Sequence, residues 1–268
     1  MNKFLRYLLL ILGILLVVNL FLVPLIEPGM IYFPMKELEG NPSSVGLKYE
    51  DIYLKTSDGV LIHGWFIENP LSQKVVLVFH GNGGNISHRL DLVKLLHTLP
   101  ADVFIIDYHG YGKSGGKPSE KNLYLDAEAA YDHLIDQKKY KSQQIVVLGS
   151  SLGGAVATEL AVREKIGALI LRKTFTSAQE MAVRMNPLYR RPIIWIRSDF
   201  DNLKKIQEVA VPVLIIHSKD DELIPYQMAV VLYEKANLPK QLLLLEGFRH
   251  NDFISSPEYV DSLRMMVK

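Results

Sequence analysis

The chain of 268 residues contains no cysteine. Disulfides, thiolate metal sites and a cysteine nucleophile are thereby excluded, while the redox compartment stays open. Neither charge is in excess: 30 Lys and Arg stand against 29 Asp and Glu, a formal net charge of +1. The basic surplus of a polyanion binder is missing, so no nucleic-acid partner is expected. Nucleotide and metal motifs are missing too. A phosphate loop needs a glycine five positions before Gly112 of Gly112-Lys113-Ser114, and Asp107 stands there. The run Gly81-Asn82-Gly83-Gly84-Asn85-Ile86 ends in Ile86 where the dinucleotide fingerprint requires a small residue. No His-Glu-x-x-His occurs and the histidines have no zinc spacing, so neither a metal nor a cofactor is expected. Alanine is absent before Ala101, and with it the usual small-x-small site of signal-peptide cleavage.

What is present begins with hydrophobic length. Tyr7 to Ile26, "YLLLILGILLVVNLFLVPLI", carries no charge. Twenty residues at helical rise match the roughly 30 Å hydrocarbon core of a bilayer. A run apolar on every face does not suit a helix of a soluble core. It reads as an uncleaved single-pass anchor over 7–26, preceded by a basic segment over 1–6 with Lys3 and Arg6. Those two charges favour a cytoplasmic N-terminus, with the body on the opposite side of the membrane. Residues 27–46, rich in Pro and Gly, read as a connector, and residues 47–268 as one folded domain.

From Leu47 the pattern is regular. "LKYEDIYLKT", the turn "SDG" and "VLIHGWFI" predict an antiparallel hairpin. Solid apolar runs follow at 75–79, 103–107, 145–149, 168–171, 213–217 and 242–246. Runs apolar on both faces are what buried parallel strands require. Helical patterns lie between them, which predicts an α/β fold with a mostly parallel, doubly wound sheet and helices on both faces. In such sheets ligands bind beyond the carboxyl ends of the strands.

Five strand ends carry glycine-rich or ionisable loops: "HGNGGN", "YHGYGKSGG", "SSLGG", "SKDDELIP" and "GFRHND". In Gly149-Ser150-Ser151-Leu152-Gly153 the glycines frame Ser151, as a sharp strand-to-helix turn presenting a hydroxyl requires. Ser150 lacks that frame. A serine needs a base, and the base needs an orienting carboxylate. Only His217 and His250 follow Ser151. His217 ends an apolar strand and suits a core or turn role, so His250, in the loop after the last strand, is taken as the base. The acid lies in "SKDDELIP": Asp220 or Asp221, with Glu222 behind them. Donors for a developing oxyanion are expected from the backbone N–H groups of Leu152 and Asn82, with Gly83 in reserve. His80 is read as structural.

From "YFP" at 32–34 to the C-terminus the chain resembles the α/β-hydrolase superfamily, and within it the membrane-anchored branch of bud-emergence-type and abhydrolase-domain proteins. The segments that carry the resemblance are "TSDGVLIHGW", "FHGNGGNI", "DYHGYGKSGGKPSE", "DAEAAYDHL", "GSSLGG", "FDNLKKI", "VPVLIIHSKDDELIP" and "GFRHND". The resemblance implies an α/β-hydrolase fold and an N-terminal membrane helix; the segment between Phe175 and Val211 is long enough to form a small lid, about 178–205. It implies Ser151 as nucleophile and His250 as base, and it selects Asp221, four before the proline of its motif, over Asp220. The chain departs from the family pattern at His109, where Arg is usual, and at Ser150. It departs again at Arg172, where the family has an acid in "ESPFTS", and at Arg249, where a small residue is usual.

The expected activity is hydrolysis of an acyl bond, a carboxylic ester or thioester of a small-molecule or lipid-like acyl substrate. Tyr189, Ile193, Ile194 and Trp195 are candidates to line an acyl pocket. Alternatively that segment packs as a helix on the core, with Arg190, Arg191 and Arg197 in solvent. A serine peptidase of the same fold, or a membrane-tethered interaction protein with a vestigial site, are the alternative functions.

Overall fold

A computed structural model of the chain describes residues 3–190 and 193–268. Met1, Asn2 and the expected solvent-facing Arg191 therefore lie outside the described residues. An eight-stranded sheet forms the centre, in the spatial order β10-β9-β8-β7-β4-β6-β3-β2. Its strands are β2 (Glu50–Lys55), β3 (Leu61–Ile67), β4 (Lys74–Phe79), β6 (Ala101–Ile106), β7 (Ile145–Ser150), β8 (Ala168–Arg172), β9 (Val213–Ser218) and β10 (Lys240–Leu245). β2 and β3 form the antiparallel hairpin, β3 meets β6 antiparallel, and all other pairs are parallel. A parallel pair of β1 (Phe33–Pro34) with β5 (Gly83–Gly84) stands apart from the sheet.

The apolar runs explain the layering. Val75, Leu77 and Phe79 of β4 point to one face and Val76 and Val78 to the other, all fully buried. The first face is covered by α4 (Glu120–Asp136), α5 (Leu152–Arg163) and α8 (Tyr226–Lys235), through Leu123, Ala127, Leu160 and Leu232. The second is covered by α3 (Leu90–His97) and α9 (Pro257–Val267), through Leu92, Leu96, Tyr259 and Leu263. Each large apolar side chain so buried contributes roughly 1.5–3 kcal/mol. Ser119 and Ser256 cap α4 and α9 by accepting the N–H groups of Asn122 and Tyr259.

Two strands differ from their patterns. β3 is buried from Ile62 onward rather than alternating, because it lies between β2 and β6 and both of its faces are covered. The leucine-rich β10 is mostly half-buried, because it is an edge strand.

The N-terminal apolar run is a continuous helix from Lys3 to Ile31, long and apolar enough to cross a bilayer. It comprises α1 (Lys3–Val17), a π-helical turn at Val18–Leu22 and α2 (Val23–Ile31). The helix thus extends through Pro28 and Gly29 into the stretch expected as connector. The π turn carries Asn19, whose amide donates to the carbonyls of Leu15 at 2.8 Å and Ile193 at 2.9 Å and accepts from Trp195 N–H at 2.6 Å. Glu27, 6 % exposed, accepts from the N–H groups of Arg197 and Ser198 at 2.8 and 2.7 Å. Between β8 and β9 the chain forms α6 (Ala178–Met185), a 3-10 turn at Pro187–Tyr189 and α7 (Asn202–Lys205).

Candidate active site

β7 runs straight into α5 through Ser151, whose backbone adopts φ 53° and ψ −117°. This conformation is strained for a residue with a side chain and lifts the hydroxyl clear of the sheet edge. The turn closes only over glycine. A Cβ at Gly149 would collide with the carbonyl of Gly153, and one at Gly153 with the carbonyl of Phe79. Ser150 Oγ is buried and unpartnered among the described residues.

Three strand ends converge on the Ser151 hydroxyl. His250 Nε2 lies 3.2 Å from Ser151 Oγ, and His250 Nδ1 lies 2.8 Å from Asp221 Oδ2. With Nδ1–H donating to the carboxylate, Nε2 is left as the acceptor for the serine hydroxyl. Asp221 is fixed in turn. Its Oδ1 accepts from the N–H groups of Leu223 and Ile224 at 3.0 and 2.8 Å. Burial favours its neutral acid. The hydrogen bonds from His217, His250 and Ile224, with the charge of His250, outweigh burial and hold its pKa well below the usual carboxylate range.

The neighbouring acids are elsewhere. Asp220 Oδ2 accepts from Gly247 N–H at 2.6 Å, and Glu222 accepts from the backbone N–H of His250 at 3.0 Å. Both fasten the loop that carries His250 without reaching its ring.

Two supporting side chains were not singled out in this role by sequence. His217 Nε2 is 2.9 Å from Ile224 O and 3.3 Å from Asp221 Oδ2, so it orients the carboxylate from behind. Lys173 follows β8 at φ 48°, and its buried ammonium donates to the carbonyls of Arg249, His250 (3.0 Å) and Asp252 (3.1 Å). Burial lowers its pKa to about 8. A lysine after an apolar run carries no local signal that its side chain turns inward.

The loop after β4 faces Ser151 from the other side. Its carbonyls are tied down: Asn82 O accepts from Phe33 N–H and Tyr111 Oη, Gly83 O from Arg89, and His80 O from Tyr108 Oη. His80 is buried, with Nδ1 2.6 Å from Gly81 O and Nε2 3.5 Å from Asp107. Among the described residues, neither the Asn82 nor the Leu152 backbone N–H has a hydrogen-bond partner. Both residues line the same cavity as Ser151.

That cavity has a volume of about 360 Å³, within the range of small-molecule sites, about 300–1,000 Å³. Its walls are apolar: Phe175, Met181, Ala182 and Phe200 from the β8–β9 segment, with Val23 and Met30 from α2. Of the expected lining residues Tyr189 takes part, its hydroxyl 3.3 Å from Met30 Sδ. Ile193, Ile194 and Trp195 do not. Ile193 and Trp195 point outward, 41 % and 45 % exposed, because their backbones are strapped to Asn19. Arg190 and Arg197 are exposed.

The family departures each have partners of their own. His109 is buried, with Nδ1 2.5 Å from Asp126 Oδ1 and Nε2 3.4 Å from Asp58. Burial opposes its charged form, but hydrogen bonding to Asp126 and the nearby charges raise its pKa. Arg172 gives its carbonyl to Ser151 N–H at 2.9 Å and its guanidinium to Tyr259 Oη at 3.3 Å. Arg249 is exposed, 3.9 Å from Glu222.

Residues 71–200 match the family described as serine aminopeptidase, S33. The alpha/beta hydrolase domain-containing protein WAV2 of Arabidopsis thaliana is 36 % identical over 78 % of this chain and 75 % of its own length. Protein bem46 of Schizosaccharomyces pombe is 37 % identical over 75 % of this chain and 71 % of its own length. Among solved structures, the Pyrococcus furiosus esterase Pf2001 superposes with a TM-score of 0.73 at 22 % identity, over 88 % of this chain and 97 % of that one.

Proposed function

Because the chain belongs to the α/β-hydrolase family, we propose that it is a serine hydrolase that cleaves an acyl bond through Ser151, His250 and Asp221. One observation carries the reading: the unbroken line from Ser151 Oγ to His250 to Asp221, 3.2 and 2.8 Å long, set on a strained turn. His250 takes the Ser151 proton as Oγ attacks the carbonyl carbon, while Asp221 holds the imidazole tautomer and stabilises the imidazolium. The N–H groups of Leu152 and Asn82 receive the oxyanion. Collapse breaks the acyl bond, and His250 returns the proton to the leaving group. A water, deprotonated by the same imidazole, then attacks the acyl-enzyme, releasing the acid and restoring Ser151.

The apolar cavity beside Ser151 favours an ester or thioester with a lipid-like acyl group over a peptide. A peptidase reading draws on the serine aminopeptidase family match, but the walls offer little to pair with a peptide backbone. The helix Lys3–Ile31 holds the enzyme to a membrane, with Lys3 and Arg6 on the cytoplasmic side and the catalytic domain on the other. The test is labelling of the full-length protein with a fluorophosphonate. An adduct at Ser151 that Ser151→Ala abolishes is the expected result. An untouched Ser151 would point to the vestigial interaction protein instead.

A further inference from the structure

The cavity beside Ser151 borrows part of its wall from far away in the chain. Val23, Ile26, Met30 and Ile31 line it, yet all four belong to the apolar N-terminal helix. The contact is close, since Val23 is 2 % exposed. It is also pinned by polar groups. An amide and a carboxylate in an apolar helix are costly unless partnered. Here Asn19 and Glu27 are partnered by the backbone at 193–198, which contains the cavity residue Ile196 and leads on to Phe200. A leader destined for removal has no use for such ties.

The mouth of the cavity can be read from residues that line it and are exposed at the same time. These are Ile26, Met30, Phe33, Met185 and Leu223, between 41 % and 69 % exposed, and every one is apolar. A contiguous apolar rim marks a ligand or membrane contact. This rim continues into α1, which buries no side chain at all. The helix sets the depth. Its charge-free run ends at Ile26, so a bilayer spanned by that run, about 30 Å thick, has its far surface at the rim.

We infer that Val23, Ile26 and Met30 form the acyl-chain wall of the active site, and that the acyl chain enters through the apolar rim from the bilayer that the helix occupies. The substrate is then a long-chain ester or thioester whose carbonyl reaches Ser151 while its tail lies along α2. This rests on the serine-hydrolase reading.

The experiment uses full-length protein in phosphatidylcholine vesicles, with p-nitrophenyl acetate, dodecanoate and hexadecanoate as probes. The quantity read is kcat/KM for each long ester relative to acetate, for wild type, Met30→Trp and Met30→Ala. An indole in the cavity displaces several methylenes, each contributing about fourfold. Met30→Trp is therefore expected to lower the dodecanoate-to-acetate ratio at least ~10-fold. Met30→Ala lengthens the slot and is expected to raise the hexadecanoate-to-dodecanoate ratio ~3-fold or more. In a second arm, hexadecanoate ester is dissolved either in the vesicles that carry the protein or in separate ones. At least ~10-fold faster turnover from the shared membrane is expected, since an ester held by so many apolar methylenes leaves its own bilayer slowly. Ratios that both variants leave at the wild-type value, or equal rates from shared and separate vesicles, overturn the inference. If Ser151-dependent acetate hydrolysis persists in that case, the hydrolase reading survives without it. If no ester is cleaved and Ser151 takes no fluorophosphonate, both fall together.

Discussion

Replacing Ser151 by glycine is expected to make the protein more stable than replacing it by alanine, although both changes remove the proposed nucleophile. The comparison isolates the backbone, because each variant loses the same hydrogen bond to His250. At φ 53° and ψ −117° a residue with a Cβ is strained, at a cost of about 1–3 kcal/mol. Alanine keeps that cost and glycine relieves it. Against this, glycine gives the unfolded chain more freedom, which takes back about 0.4–1 kcal/mol. The net is about 1 kcal/mol in favour of Ser151→Gly, or a midpoint roughly 2–4 °C higher for a domain of this size. Thermal unfolding of both variants, side by side in one detergent and followed by near-ultraviolet circular dichroism, measures it. A glycine variant that melts at or below the alanine variant would show that the turn is not strained, and the account of the raised hydroxyl would fail with it.

Other outcomes follow from the surroundings of Ser151, His250 and Asp221. Asp221→Asn is expected to lower kcat by about 10⁴-fold, as loss of the orienting carboxylate does in other triads. Asp220→Asn, which only loosens the Gly247 N–H, should cost little, and equal losses in a steady-state ester assay would refute the assignment. Lys173→Met withdraws the donor from three carbonyls of the His250 loop. A shift of the imidazole by 1 Å costs about 10²-fold, so kcat should fall with KM little changed. Unaltered kcat in the folded variant would make Lys173 a bystander. The pH dependence of stability has a defined sign. Asp221 is more acidic folded than unfolded, so its contribution is complete above the ordinary value of about 4 and is lost as pH falls through the lower, folded value. The stability gap between wild type and Asp221→Asn, from urea unfolding in detergent, should hold steady near neutrality and narrow in acid. Widening in acid would contradict the assigned hydrogen bonds.

The parallel strands and their order of function were legible because periodicity is local. Runs apolar on both faces have one common use, and glycines at 149 and 153 signal a tight turn wherever they occur. Ser151, Asp221 and His250 could be collected because each sits at a strand end, and the strand ends share one edge. The acid itself was ambiguous on the residues alone. Asp220 and Asp221 are adjacent, and only the turn that offers the N–H groups of Leu223 and Ile224 to Asp221 separates them. The walls of the cavity were not legible. Asn19 and Ile193 lie 174 positions apart, and no periodicity couples them. Ile193 and Trp195 are apolar, and apolar character alone does not separate the lining of a cavity from an exposed face. Lys173 runs against the opposite rule, since a lysine is expected in solvent.

The ends of β7, β8 and β9 are stitched to one another past the limit of the sheet. Ser151 N–H reaches Arg172 O, Thr174 Oγ1 reaches Ser151 O, and Lys173 N–H reaches Ile216 O. These bonds tie the floor of the cavity to the sheet, whereas the opposite side is closed by the N-terminal helix and the 193–198 segment, bonded to one another through Asn19 and Glu27. Whatever breathing admits a bulky guest must come from that flank, leaving Ser151 Oγ where folding put it.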